Sequence, residues 1–148
     1  MSVMLIPQTA EYAFRAMSCL ASRYTDLAIR SRDLSKQANI PPFYLSKIMR
    51  RLVVAGLVTS QRGHGGGFQL AKPPGQIRFL DILEAVDYHA ELGRCAFGIG
   101  RCNPENPCPL HDSWSTLQGS FLHWASTNRL DTLADNSYRI PQAHDKLE

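Results

Sequence analysis

Between two strand-like runs, Leu57-Val58-Thr59-Ser60 and Phe68-Gln69-Leu70-Ala71, the chain places Arg62-Gly63-His64-Gly65-Gly66-Gly67. Glycines so closely spaced allow a tight, left-handed path that bulky residues cannot follow, so the two runs are expected to pair as a β-hairpin. Arg62 and His64 fall at its tip, where a cation can enter a narrow DNA minor groove and respond to its width. A glycine-rich loop can also cradle phosphate. Here the spacing is neither a P-loop nor a dinucleotide fingerprint, and no helix N-terminus follows to supply an anion pocket.

What precedes the hairpin is helical. From Gln8 to Ser22 the residues Tyr12, Ala13, Ala16, Met17, Leu20 and Ala21 recur at three- and four-residue spacing, an amphipathic helix with Cys19 near its buried face. Ser31 suits the N-cap of a short helix through about Ala38, and Asn39 can end it. Pro41-Pro42 then opens a helix running to Ala55, before Gly56. Two short helices around a tight turn predict a helix-turn-helix. In the second, Leu45, Ile48, Met49 and Leu52 form the inward stripe, leaving Phe43, Tyr44, Ser46, Lys47, Arg50 and Arg51 on or beside the outward face.

Charge points the same way. Residues 1–80 hold eleven Lys/Arg against Glu11, Asp26 and Asp33, a net of +8; residues 81–148 hold five against ten, a net of −5. A basic half concealed within an overall charge of +3 suggests a polyanion partner, since each phosphate neutralised releases a condensed counterion. At 148 residues the chain can bury one ordinary core, or a small domain plus a helix that needs a partner. No signal peptide or membrane-length apolar stretch is evident, so a cytoplasmic protein without membrane association is expected.

Asp112 to Asn128 offers that extra helix, with Trp114, Leu117, Phe121, Leu122, Trp124 and Ala125 on a broad apolar surface. A second copy of the helix could cover it, giving a two-fold dimer with two recognition helices about one DNA turn apart, roughly 34 Å. Alternatively, the helix folds back on its own domain. Before it lies Cys95-Ala-Phe-Gly-Ile-Gly-Arg-Cys102-Asn-Pro-Glu-Asn-Pro-Cys108-Pro-Leu-His111. Its glycines and prolines break regular structure, so this is a loop that can wrap a centre. In a reducing compartment such cysteines are metal-binding or redox-active more often than disulfide-bonded. Thiolates select iron–sulfur clusters, zinc or copper(I), and the spacing does not resemble the paired knuckles of structural zinc.

The segment from Ile40 to Asp87 resembles the winged-helix region of the Rrf-two family of bacterial transcription regulators. The match runs through Tyr44-Leu45-x-Lys47-Ile48, Leu52-x-x-Ala55-Gly56-Leu57-Val58 and Arg62-Gly63-x-x-Gly66-Gly67-Phe68-x-Leu70-Ala71, and the similarity spans residues 7–128. The resemblance implies a mainly α fold with a small β-hairpin wing: a winged helix-turn-helix DNA-binding domain at 1–90, a cysteine-rich cluster-binding loop at 91–111, a dimerisation helix at 112–130 and a flexible tail at 131–148. It further implies a homodimeric repressor bound to inverted-repeat operators in double-stranded DNA, with Tyr44, Ser46, Lys47, Arg50 and Arg51 in the major groove and Arg62 and His64 in the minor groove. By the same resemblance, Cys95, Cys102 and Cys108 hold a [2Fe–2S] or [4Fe–4S] cluster. His111 stands where some members place a histidine ligand, and Glu11 where others offer a carboxylate from the first helix. Arg15 occupies the position at which one member has a histidine a turn after its acidic ligand, which disfavours that arrangement here. Two other roles fit the cysteines: a cluster-free sensor of thiol oxidation or of a protein partner, and a small electron carrier. An enzyme is not expected, because no paired acid and base and no nucleophile motif are present.

Overall fold

In the computed structural model, which describes residues 6–87, 94–134 and 138–142, the chain forms five α-helices and one hairpin. In order these are α1 (Gln8–Ala21), α2 (Ser31–Ala38), α3 (Pro42–Val54), β1 (Val58–Gln61), β2 (Gly67–Leu70), α4 (Phe79–Ala85) and α5 (His111–Thr127), with 3₁₀ turns at Pro74–Gln76 and Leu130–Ala134. No helix among the described residues is long and apolar enough to cross a membrane. The apolar face of α1 is buried along its length, from Ala10 through Tyr12, Ala13, Ala16 and Met17 to Leu20 and Ala21. It packs against α2, α3 and α4 around a core that includes Met17, Leu34, Leu45, Met49, Leu52, Ile77, Ile82 and Leu83.

The helix-turn-helix is set by how α2 ends. Asn39 adopts a left-handed conformation (φ 53°), which turns the chain so that its N–H donates to Lys36 O and the Ile40 N–H to Ser35 O. These two bonds satisfy carbonyls that the helix end would otherwise orphan, and the buried Ile40 side chain seals the turn. The Arg15 guanidinium donates to the Asn39 carbonyl at 3.0 Å and pins the turn to α1. The same device closes α3: Gly56 (φ 77°) donates to Val53 O, Leu57 to Leu52 O, and Leu57 is buried. Ser31, expected as the N-cap of α2, is instead its first helical residue. Arg30 occupies the cap, and no side chain satisfies it.

Antiparallel pairing of β1 with β2 runs Val58 opposite Leu70, Thr59 opposite Gln69, Ser60 opposite Phe68 and Gln61 opposite Gly67. Sequence placed the first strand one residue early and the second one residue late, because composition cannot fix where the turn begins and ends. The other edge of β2 is also paired: Ile29 N–H donates to Phe68 O at 3.0 Å and Phe68 N–H to Ile29 O at 2.8 Å. The wing is thereby fastened to the segment that enters α2.

α4 is short and opens on Arg78, whose backbone N–H donates to the Asp81 carboxylate at 2.8 Å while its guanidinium grips the same group. Helix α5 crosses α4 through an aromatic cluster in which Trp124 stands 5.3 Å from Phe79 and 6.2 Å from Phe14, and Phe121 packs 5.7 Å from Trp124. Beyond α5 the backbone returns to the domain. Leu130 N–H donates to Ile77 O and its side chain is fully buried, and the Asn39 side-chain amide reaches Pro141 O at 3.2 Å.

Candidate DNA-reading face and cysteine loop

At about 100° per residue, Phe43, Lys47, Arg50 and Val54 fall within about 60° of one another on α3, opposite the buried stripe of Leu45, Ile48, Met49 and Leu52. All four are exposed, so the helix presents one face to solvent with two cations in its middle turns. Ser46 flanks this face, and its hydroxyl donates back to Pro42 O. Lys47 Nζ lies 4.3 Å above the Phe43 ring, and Tyr44 wedges between Phe43 and Tyr12 at ring separations of 5.7 and 5.9 Å. Arg51 behaves differently from its neighbour. Its guanidinium donates to the Val86 carbonyl at 3.2 Å, satisfying the C-terminal end of α4. Arg62 and His64 sit exposed between Gln61 and Gly66 in the hairpin turn, where Gly63 and Gly65 take positive φ.

The cysteine loop is built on a second turn. Cys95 N–H donates to Gly100 O, Gly98 N–H returns to Cys95 O, and Arg94 pairs with Arg101; Gly98 and Gly100 take left-handed φ. This doubling-back brings the backbone at Gly100 and Arg101 alongside Cys95 and Arg94. A second approach comes from the entrance to α5, where Cys95 Sγ and Cys108 Sγ lie 3.7 Å apart. All three thiols are half-buried. Desolvation raises the Cys108 thiol above its ordinary pKa; a backbone bond from Leu110 opposes this, and the Cys95 and Cys102 thiols push it further up. Cys108 O accepts the His111 N–H as α5 begins, and Trp114 Nε1 donates to Arg94 O at 2.7 Å, so the first turn of α5 holds both ends of the loop.

His111 Nδ1 is buried and has no hydrogen-bond partner. A buried imidazole nitrogen left unsatisfied, three residues after Cys108, has the chemistry of a ligand that some further group completes. Even so, among the described residues no three His, Cys, Asp or Glu side chains converge closely enough to hold a single metal ion. Glu11 is exposed in the first turn of α1, and among the described residues no hydrogen bond or ion pair joins it to the loop.

The surface of α5 is divided. Phe121 and Trp124 serve the chain's own core, so these two members of the expected dimer surface are largely spent at home. Towards the N-terminus the helix stands clear of the domain: Leu117 is 51% exposed and Trp114 half-exposed, and of the whole helix only Ala125 is fully buried.

A helix-turn-helix followed by a hairpin wing, with a cationic outward face on its second helix, defines a winged-helix DNA-binding regulator. The comparisons place it further. Residues 6–136 match the Rrf2 family, described as iron-dependent transcriptional regulator. The regulator IscR of Cronobacter sakazakii is 32% identical over 133 residues, covering 90% of this chain and 82% of its own. Among solved structures, CymR of B. subtilis, titled its global cysteine regulator, superposes with a TM-score of 0.76 at 20% identity, covering 89% of this chain and 97% of its own. T. potens IscR does so with a TM-score of 0.71 at 22% identity, covering 95% of each. The chain belongs to the Rrf2 family of helix-turn-helix transcription regulators. These are DNA-binding regulators and not enzymes, and that role takes the place of the electron carrier.

Proposed function

We propose that this protein is a homodimeric operator-binding regulator, in the first instance a repressor, that senses through an iron–sulfur cluster held by Cys95, Cys102 and Cys108, with His111 as the completing ligand. The observation that carries the proposal is the loop itself: Cys95 and Cys108 converge to 3.7 Å, and the buried, orphaned His111 Nδ1 follows Cys108 by three residues. A thiol such as Cys108, raised by desolvation and by its neighbouring thiols, gains from a bound cationic centre that favours the thiolate. Such a cluster supplies a centre whose redox state and integrity report oxidant, nitric oxide or iron supply. His111 is preferred over Glu11 because it lies within the loop's own fold. Dimerisation is assigned to the part of α5 that its own domain leaves uncovered, around Trp114 and Leu117 in its N-terminal half and extending to Leu122, facing its copy across a two-fold axis.

Recognition is assigned to Tyr44, Ser46, Lys47 and Arg50 in the major groove and to Arg62 and His64 in the minor groove. A route from loop to groove follows the contacts. The loop is clamped to α5 by Trp114 and His111; α5 grips α4 through Trp124 and Phe79; and the end of α4 is tied to α3 by Arg51. To act as a switch, the two loop states must differ in DNA-binding free energy by a few kcal/mol.

The deciding measurement is the ultraviolet–visible spectrum of anaerobically purified protein with iron and acid-labile sulfide per chain. About two of each, or about four of each, with charge-transfer absorption between roughly 300 and 600 nm, is expected, and should be lost in the Cys95/Cys102/Cys108→Ala variant. One observation favours a second function. The 3.7 Å between Cys95 and Cys108 also suits a thiol pair that a peroxide oxidises to a disulfide. Colourless protein after anaerobic reconstitution, with Cys95 and Cys108 linked on oxidation, would establish that sensor instead.

A further inference from the structure

Phe43 is 66% exposed at the second residue of α3, at the centre of the outward face and nearest the helix's N-terminal end. A ring left in water at that place contributes little to the fold. It is nevertheless held still: the Lys47 ammonium covers one face at 4.3 Å, and Tyr44, itself braced on Tyr12, meets its edge at 75°. Recognition helices meet base edges with their N-terminal residues. In the major groove the only apolar feature of any base pair is the C5-methyl group of thymine. We infer that Phe43 is a specificity-determining residue that reads a thymine methyl in each operator half-site, with Lys47 positioned by its ring. This deepens the assignment of α3 as the recognition helix and rests on it.

The polar residues of this face cannot supply that preference. Lys47 and Arg50 donate to guanine or to phosphate, and the Ser46 hydroxyl is engaged with Pro42 O. Val54 is the other exposed apolar side chain on the face, but it lies at the far end of the helix, three turns from Phe43 and away from the base-reading turn.

The test begins by selecting bound duplexes from a randomised DNA library with the full-length protein. Each thymine of the selected sequence is then replaced singly by deoxyuridine, which deletes only the methyl. For the unmodified protein, affinity should fall about fourfold at one position per half-site, the worth of one buried methyl. Phe43→Ala should bind thymine and deoxyuridine equally at that position and keep the salt dependence of binding, because no charge has changed. Phe43→Leu should retain part of the discrimination. If Phe43→Ala discriminates as strongly as the unmodified protein, the inference is overturned while α3 remains the reading helix. If the library yields no inverted repeat, or Arg50→Ala binds the selected duplex normally, the α3 assignment itself fails and the Phe43 inference with it.

Discussion

Gly67 offers the sharpest test of how the wing is held. Its φ of 140° is open to glycine but strained for other residues, and a Cβ there would run into the Ile29 carbonyl and the Arg30 amide. Replacing it by alanine therefore carries two costs. The backbone conformation costs about 1–3 kcal/mol. Displacing Ile29 also breaks the reciprocal bonds with Phe68, at 3.0 and 2.8 Å, each worth about 0.5–1.5 kcal/mol. The expected loss is about 2–6 kcal/mol, a large share of the roughly 5–15 kcal/mol that holds a domain together. Gly63→Ala is the matched control: its φ of 93° carries the backbone strain, but nothing lies within 4 Å of a Cβ there. Urea unfolding of both variants should show Gly67→Ala melting at distinctly lower denaturant, with an unchanged slope. Amide exchange should show Ile29 and Phe68 losing protection in that variant only. Equal midpoints, or protection of both amides retained in Gly67→Ala, would refute the idea that β2 is anchored from both sides.

Other consequences are as concrete. Arg50→Ala should weaken DNA binding by about 1–3 kcal/mol with relaxed base preference if it grips guanine, or lower the salt slope by about one if it grips phosphate; unchanged affinity at every salt concentration would remove it from the interface. Burial alone would raise the Asp81 carboxyl, but the side-chain and backbone donations of Arg78, with the charges of Arg78 and Lys72, outweigh it and hold the pKa below the usual carboxylate value. That stabilisation is present above the unfolded-state pKa of about 3.9 and lost as pH falls through the folded value. Asp81→Asn should accordingly flatten the acid limb of a stability–pH curve, and an unchanged acid limb would count against the cap. Burial pushes the Cys19 thiol up to about 11, with Arg15 opposing it. At pH 8 mass spectrometry of the cluster-free protein should therefore find Cys19 alkylated far more slowly than the half-buried Cys95 or Cys102, and equal rates would contradict its burial.

Much of this was legible in the sequence. Three-to-four-residue periodicity marked α1 and α3, and Asn39 and Gly56 announced the helix ends because only residues tolerant of left-handed backbone suit those turns. The cysteines and His111 were legible as types and as a loop. The 3.7 Å approach of Cys95 to Cys108 was not, because it depends on a doubling-back at Gly98 and Gly100. Arg51 and Arg50 look alike in sequence. Only packing shows that one guanidinium reaches a carbonyl 35 residues away. Likewise, α4 is too short for a period to emerge, and the aromatic surface of α5 does not reveal which rings Phe14 and Phe79 will claim.

The pairing of β2 on both sides bears on how copies of this protein can associate. A strand with unpaired N–H and C=O groups invites another chain to extend the sheet, and natural proteins suppress this by shortening or covering such edges. Here Ile29 covers one flank, and the sole remaining flank, on β1, is four residues long and carries Thr59, Ser60 and Gln61. The wing is thus a poor template for strand addition, however concentrated the protein becomes, and can slide along DNA without joining neighbouring wings into a continuous sheet. In the dimer proposed above, association through α5 can close on itself as a pair, where an open sheet edge would propagate.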